Sequence, residues 1–105
     1  MRFVLIAVLL ATAWATLAHA GTPASVSIEN YTFDPPSLSV PAGSEVTWTN
    51  HDDIPHLVQD DGGRFTSPPM DTDDSFKHRF DRPGTYAYFC TLHPHMQGTI
   101  VVTPG

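Results

Sequence analysis

Hydrophobic and polar residues alternate with a period of two in most of the chain after residue 24. Such alternation is typical of β-strands that bury one face, and no segment carries a convincing helical period. Short turn sequences such as Pro41-Ala42-Gly43 and Arg82-Pro83-Gly84 separate the alternating segments. The segments are 25–29, 38–40, 46–49, 56–59, 76–80, 86–90 and 99–103. They predict an all-β fold, a two-sheet antiparallel β-sandwich of about seven or eight short strands.

The first 20 residues carry a different pattern. Arg2 is followed by an apolar run over residues 3–13 and then by Ala18-His19-Ala20, a small-residue sequence typical of a signal cleavage site. The run is too short for a bilayer-spanning helix, so no membrane anchor is expected. We therefore predict that residues 1–20 are a signal peptide and that residues 21–105 form one exported, periplasmic domain.

The charge balance limits the kinds of partner. The chain has 5 Lys and Arg against 11 Asp and Glu, a formal net charge of −6 with histidine neutral. Loss of residues 1–20 removes Arg2 and leaves a net charge of −7. Because nucleic-acid binding depends on clustered positive charge, no nucleic-acid partner is expected. The acidity is compatible with an electropositive protein partner, and it also simply confers solubility.

Candidate chemistry is concentrated around Cys90, the only cysteine of the chain. A lone cysteine is most often a buried apolar filler, but an exported protein cannot pair one cysteine in an internal disulfide. His93 and Met96 follow Cys90 at three-residue intervals, and His56 lies 34 residues upstream. A thiolate, two imidazoles and a thioether are the donors of a type 1, or blue, copper site. Structural zinc prefers four firm Cys or His ligands, and calcium prefers oxygen.

Longer segments around these donors resemble the cupredoxins, and within them the amicyanin-like, plastocyanin-related single-domain group. The Cys-x-x-His-x-x-Met spacing is that of the short ligand loop of the amicyanin-like proteins. The resemblance implies a Greek-key β-sandwich that binds one copper ion and passes single electrons between larger redox proteins. It implies His56, Cys90 and His93 as equatorial ligands and Met96 as the axial ligand. The matching segments are 46–50, 55–56, 80–90 and 93–102.

Two positions depart from the family pattern. Leu57 follows the first histidine, where the family usually has an asparagine that ties the two ligand loops together. That tie is expected to be absent or to come from Asn50 or Thr91. His95 stands where an aromatic residue is usual, and it is either a solvated histidine or a pH-dependent charge beside the electron exit. Together with Pro94 these residues are expected to tune the site.

An apolar docking patch is expected around the solvent-facing edge of His93, and its members are Ile54, Pro55, Met70 and Pro94. Electrons would leave through the imidazole edge to a transient partner. A c-type cytochrome or a periplasmic dehydrogenase or oxidase would suit this role. The protein itself is expected to be a monomer.

Three functions compete at this point. Buried, preorganised ligands favour an electron carrier, whereas a solvent-open site would favour a periplasmic copper carrier or buffer. An enzyme is not expected, because four protein donors leave no coordination position open for a substrate.

Overall fold

The computed structural model describes residues 23–105, so the predicted signal peptide lies outside the described residues. Eight strands make up two four-stranded sheets that pack face to face. The predicted all-β sandwich is thereby confirmed. None of the described residues belongs to a helix that could cross a membrane. The strands are β1 (Ala24–Glu29), β2 (Thr32–Asp34), β3 (Ser37–Pro41), β4 (Ser44–Asn50), β5 (Gln59–Asp60), β6 (Ser75–Phe80), β7 (Gly84–Cys90) and β8 (His93–Thr103).

The sheets are mixed rather than antiparallel throughout, which corrects the prediction in this respect. One sheet has the order β2-β1-β4-β6 and the other has the order β3-β8-β7-β5. The β1–β4 and β3–β8 pairs are parallel. The parallel pairing of β1 with β4 follows from the path of the chain. After β2 the chain crosses to the other sheet as β3, and it returns as β4 in the same direction as β1.

Alternation along the strands builds the core between the sheets. In β4 the buried residues include Val46, Trp48 and Asn50, and in β7 they are Tyr86, Tyr88 and Cys90. Trp48 and Tyr88 meet across the sandwich with their ring centroids 5.4 Å apart and their planes nearly perpendicular. Because the aromatic core packs below Cys90 along β7, its thiol is fixed at one end of the sandwich.

The connection between β7 and β8 is shorter than the sequence pattern suggested. Strand β8 begins at His93, six residues before the predicted strand at 99–103, and only Thr91 and Leu92 separate it from Cys90. The register changes from Phe89 opposite Gln97 to Cys90 opposite His93. Because of this irregularity, residues 94–96 of β8 have no paired residue on β7. Such a bulge redirects side chains near functional sites.

Candidate metal centre

Three donor atoms converge at the end of the sandwich where β7 ends. The Nδ1 atoms of His56 and His93 each lie 3.7 Å from Cys90 Sγ, and all three donors lie within 4.8 Å of one another. Two ligands bound at about 2.0 and 2.3 Å and separated by about 120° would stand about 3.7 Å apart. The observed spacing therefore fits three ligands in a plane around one ion.

Each donor is positioned by a different local feature. Cys90 is the last residue of β7, and His93 is the first residue of β8. His56 lies in the β4–β5 connection, where its backbone exchanges two hydrogen bonds with Met70. His56 and Cys90 are fully buried, whereas His93 is half-buried. The ligand geometry therefore exists in the folded polypeptide itself.

Met96 completes the set of predicted donors. It lies in the irregular segment of β8, three residues after His93, and only 5% of its surface is exposed. Together with His56, Cys90 and His93 it is arranged as a type 1 copper site. The chemistry of the donors fits copper, because soft thiolate and thioether sulfur with imidazole nitrogen suits the Cu(I)/Cu(II) couple.

The sulfur of Cys90 receives a hydrogen bond from the main chain of the other ligand loop. The backbone N–H of Leu57 donates to Cys90 Sγ over 3.4 Å. Leu57 thus connects the His56 loop to β7 through its backbone, although its side chain cannot form the tie usual in the family. The predicted contribution of Asn50 takes another form, since its side-chain amide donates to the carbonyls of Ile54 and Met70. Thr91 is exposed in the β7–β8 turn.

Asp52 contacts the candidate site and was missed by the sequence analysis. Its Oδ2 lies 2.8 Å from His56 Nε2. A proton on Nε2 that is donated to this carboxylate leaves the Nδ1 lone pair directed towards Cys90 Sγ. Burial alone would raise the pKa of Asp52, but hydrogen bonds from Tyr31 N–H, His56 and Asn30 N–H together lower it. An acidic residue four positions before a ligand histidine was the available sequence signal, because ligand histidines commonly bind carboxylates through the second ring nitrogen.

A match to a known domain supports the fold and the donor set. The family model for a cupredoxin-like domain matches residues 2–102. The chain belongs to the cupredoxin family. Members of this family bind one copper ion, so the predicted cofactor is confirmed.

The relatives of this cupredoxin include proteins named amicyanin and plastocyanin. Amicyanin-alpha of Methylorubrum extorquens is 38% identical over 82 residues, which cover 73% of this chain and 69% of the relative. A purple cupredoxin from Nitrosopumilus maritimus is 37% identical, with a TM-score of 0.71 and coverage of 76% of this chain and 99% of that chain. A copper-containing nitrite reductase from Thermus scotoductus is 26% identical with a TM-score of 0.75, but the match covers 80% of this chain and only 23% of that enzyme.

The surface around the metal centre differs from the prediction at one position. Pro55 and Pro94 are exposed and Ile54 is half-buried, so these three residues remain available at the surface of this cupredoxin. Met70 is 1% exposed and belongs to the hydrophobic core, so its assignment to a docking patch is wrong. The physical reason is its backbone pairing with His56, which places the Met70 side chain among the core residues.

Two further residues flank the half-buried His93. His95 is exposed in β8, which is compatible both with a solvated histidine and with a pH-dependent charge beside the site. Tyr31 is 49% exposed, and its ring lies edge-on to both His56 and His93. Tyr31 comes from the turn between β1 and β2, a strand pair that the sequence pattern did not predict.

Proposed function

We propose that this cupredoxin is a type 1 copper electron-transfer protein in which His56, Cys90, His93 and Met96 would hold the copper ion. The observation that carries the proposal is the convergence of three donor atoms within 4.8 Å at the end of a rigid sandwich. When bound, copper supplies the one-electron Cu(I)/Cu(II) couple. The polypeptide supplies an environment that holds the donors in one arrangement.

Rigidity of the donors suits electron transfer. His56 is held by Met70 through its backbone and by Asp52 through its ring. Cys90 is held by the strand pairing of β7 and by the N–H of Leu57. Ligands that are fixed in this way move little between two oxidation states, so little energy is spent on reorganisation.

The exposure of the site supports electron transfer to a partner through the imidazole of His93. His93 is the half-buried member of the three-donor cluster, and Pro94 beside it is exposed. Ile54 and Pro55 are also accessible, and an apolar surface made of these residues would suit a transient redox partner. We infer a partner such as a c-type cytochrome or a periplasmic dehydrogenase or oxidase. The net charge of −6 favours an electropositive one.

The same site argues against catalysis. Four protein donors would leave no open position at which a substrate could bind the metal. The match to a nitrite reductase covers only 23% of that enzyme, so the likeness concerns a domain and not the whole enzyme. We propose that the chain is a monomeric, periplasmic electron carrier and not an enzyme.

The second candidate is a periplasmic copper carrier or buffer. The half-buried His93, with the exposed His95 two residues away, is the observation that favours it. Metal exchange needs a donor that can leave the ion and face solvent, and His93 is the donor nearest the surface. The two candidates therefore differ in whether copper stays bound during many redox cycles.

Repeated redox cycling in the presence of a Cu(I) chelator separates them. The copper-loaded protein is reduced by ascorbate and reoxidised by ferricyanide through many cycles, and the copper in the chelator is measured after each one. An electron carrier should transfer its electron in every cycle and keep its copper. Loss of most of the copper within the first cycles would support the carrier or buffer and contradict electron transfer as the function.

A further inference from the structure

The turn between β1 and β2 lies over the metal centre. Asn30 and Tyr31 form its two-residue loop, closed by the pairing of Glu29 with Thr32. Both loop residues have positive φ angles, 54° for Asn30 and 59° for Tyr31, as a type I′ hairpin turn requires. Asparagine tolerates this conformation, but a bulky tyrosine rarely adopts it. Tyr31 therefore needs other contacts to hold it in place.

Asp52 provides the contacts that hold the turn. Its Oδ1 accepts a hydrogen bond from Asn30 N–H over 2.6 Å, and its Oδ2 accepts one from Tyr31 N–H over 2.9 Å. The same Oδ2 lies 2.8 Å from Nε2 of His56. One carboxylate, with 11% of its side chain exposed, thus joins the turn to a buried imidazole.

Tyr31 packs against both imidazoles of the site. Its ring centroid lies 5.4 Å from that of His56 and 5.0 Å from that of His93, with interplanar angles of 84° and 86°. The two imidazoles lie 5.1 Å apart at 65°. The three rings therefore form one cluster of edge-to-face contacts, a favourable aromatic arrangement. Tyr31 is the outer member, and 49% of its surface remains exposed.

We propose that the β1–β2 turn is a lid and that Tyr31 is a positioning residue for the copper ligands. Its ring restrains His93 in the orientation that directs Nδ1 towards Cys90 and slows the release of copper. The inference rests on the proposed copper site and deepens it. It identifies a residue that retains the metal although His93 is only half-buried. The restraint matters most for His93, since His56 is already fixed by Asp52 and by burial.

The surroundings of Tyr31 show what its removal would open. A groove of about 340 Å³ runs beside the ring and is bordered by His95 and Met96. Loss of the ring would join this groove to the imidazole edges. Water or a chelator would then reach the ligands from the side of Met96 as well as from His93.

The first test is the rate of Cu(I) transfer to bathocuproine disulfonate. Tyr31→Ala should transfer copper at least tenfold faster than the wild type. Tyr31→Phe keeps the ring and should stay within twofold. Leu92→Ala is a matched control, because Leu92 is 54% exposed and precedes His93 but adds no ring to the cluster. It too should stay within twofold. A rate for Tyr31→Ala within twofold of the wild type would overturn the proposal.

The second test uses the metal-free protein and measures ring contacts directly. The carbon-bound ring protons of His56 and His93 should shift in NMR spectra of Tyr31→Ala, because they lose the ring current of the tyrosine. They should keep their positions in Leu92→Ala. Unchanged histidine ring shifts in Tyr31→Ala would contradict the packing on which the lid depends.

The two tests separate the lid from the proposed function. If the wild type loses its copper during redox cycling, electron transfer is contradicted, whereas the ratio of release rates and the ring shifts still decide whether Tyr31 restrains the ligands. If the wild type cycles stably and Tyr31→Ala releases copper no faster, the lid alone is wrong.

Discussion

The backbone N–H of Leu57 donates a hydrogen bond to the sulfur of Cys90 over 3.4 Å. Leu57 directly follows the ligand His56, so this bond joins the two ligand-bearing segments at the sulfur itself. The donor belongs to the main chain and is therefore independent of the side chain at position 57. Hydrogen bonds to a ligand sulfur withdraw electron density from it and tune the potential of the metal.

Substitutions at position 57 should separate the effect of the main-chain N–H donor on the copper site from the effect of the leucine side chain. Leu57→Ala should leave the visible absorption maximum and the reduction potential unchanged, because it keeps the N–H donor. Replacement of the 56–57 amide by an ester, which removes that donor, should lower the potential. Protein-film voltammetry of the copper-loaded proteins measures both effects. Equal potentials for the ester and the wild type would show that the bond to Cys90 has no electronic role.

Met96→Leu should raise the reduction potential and retain the visible band. The axial thioether stabilises Cu(II) more than Cu(I), so its loss favours the reduced state. Leucine nearly conserves the volume of this buried residue, and the loss of stability should stay below about 1.5 kcal/mol. Met70→Leu is the matched control, because Met70 is also buried but is not a ligand. A potential that shifts equally in both variants would contradict the axial role of Met96.

Gly98→Ala should destabilise the fold by about 1–3 kcal/mol. Gly98 pairs with Tyr88 across β7 and β8, and a Cβ at this position would overlap the Tyr88 ring, with Cε1 at 2.9 Å and Cζ nearer still. Tyr88 is 1% exposed and has no room to move aside. Urea unfolding measures the cost. In a Tyr88→Ala background the cost should disappear, and an undiminished cost there would refute the clash.

His78 should make the protein less stable in mild acid. Its ring stacks on Phe65 at 4.6 Å and meets Phe80 edge-on at 4.7 Å. Burial lowers the pKa of His78, while the charges of Asp60 and Asp81 oppose part of the shift. The ordinary pKa of histidine is 6.5. When the pH falls below this value, His78 binds a proton more readily in the unfolded chain than in the folded chain. The free energy of unfolding therefore decreases as the pH falls.

The variant His78→Phe keeps an aromatic ring at this position and removes the titration. Urea unfolding at about pH 7.5 and about pH 5.5, on either side of the ordinary histidine pKa, should show a larger loss of stability for the wild type than for the variant. Equal losses in the two proteins would mean that His78 does not contribute to the acid sensitivity.

The ligand set could be predicted from the sequence because most of it is local. Cys90, His93 and Met96 lie within one heptapeptide, and the chemistry of their donor atoms limits which metal they suit. Most of the strands could be predicted as well, because alternation indicates which side chains face the core. The predicted segment 56–59 was an exception, since β5 (Gln59–Asp60) overlaps it only at Gln59. The short strand β2 was not predicted, because the three residues Thr32–Asp34 are too few to show an alternation of hydrophobic and polar positions.

Contacts between distant segments could not be predicted in the same way. The hydrogen bonds from the β1–β2 turn to Asp52 join residues 21 and 22 positions apart. The packing of Tyr31 on His93 joins two different sheets. Met70 was expected in the docking patch, but its backbone pairing with His56 places it among the buried core residues. These features depend on how the sheets pack, which a single sequence does not encode locally.

A titration of the metal-free protein with Cu(II), followed by visible absorption, tests the proposed site as a whole. An intense charge-transfer band should grow to saturation at one copper per chain, disappear on reduction and return on reoxidation. Cys90→Ser should show no such band, because the band requires the thiolate. A wild-type complex without colour, or a band that Cys90→Ser retains, would contradict a type 1 site formed by His56, Cys90, His93 and Met96.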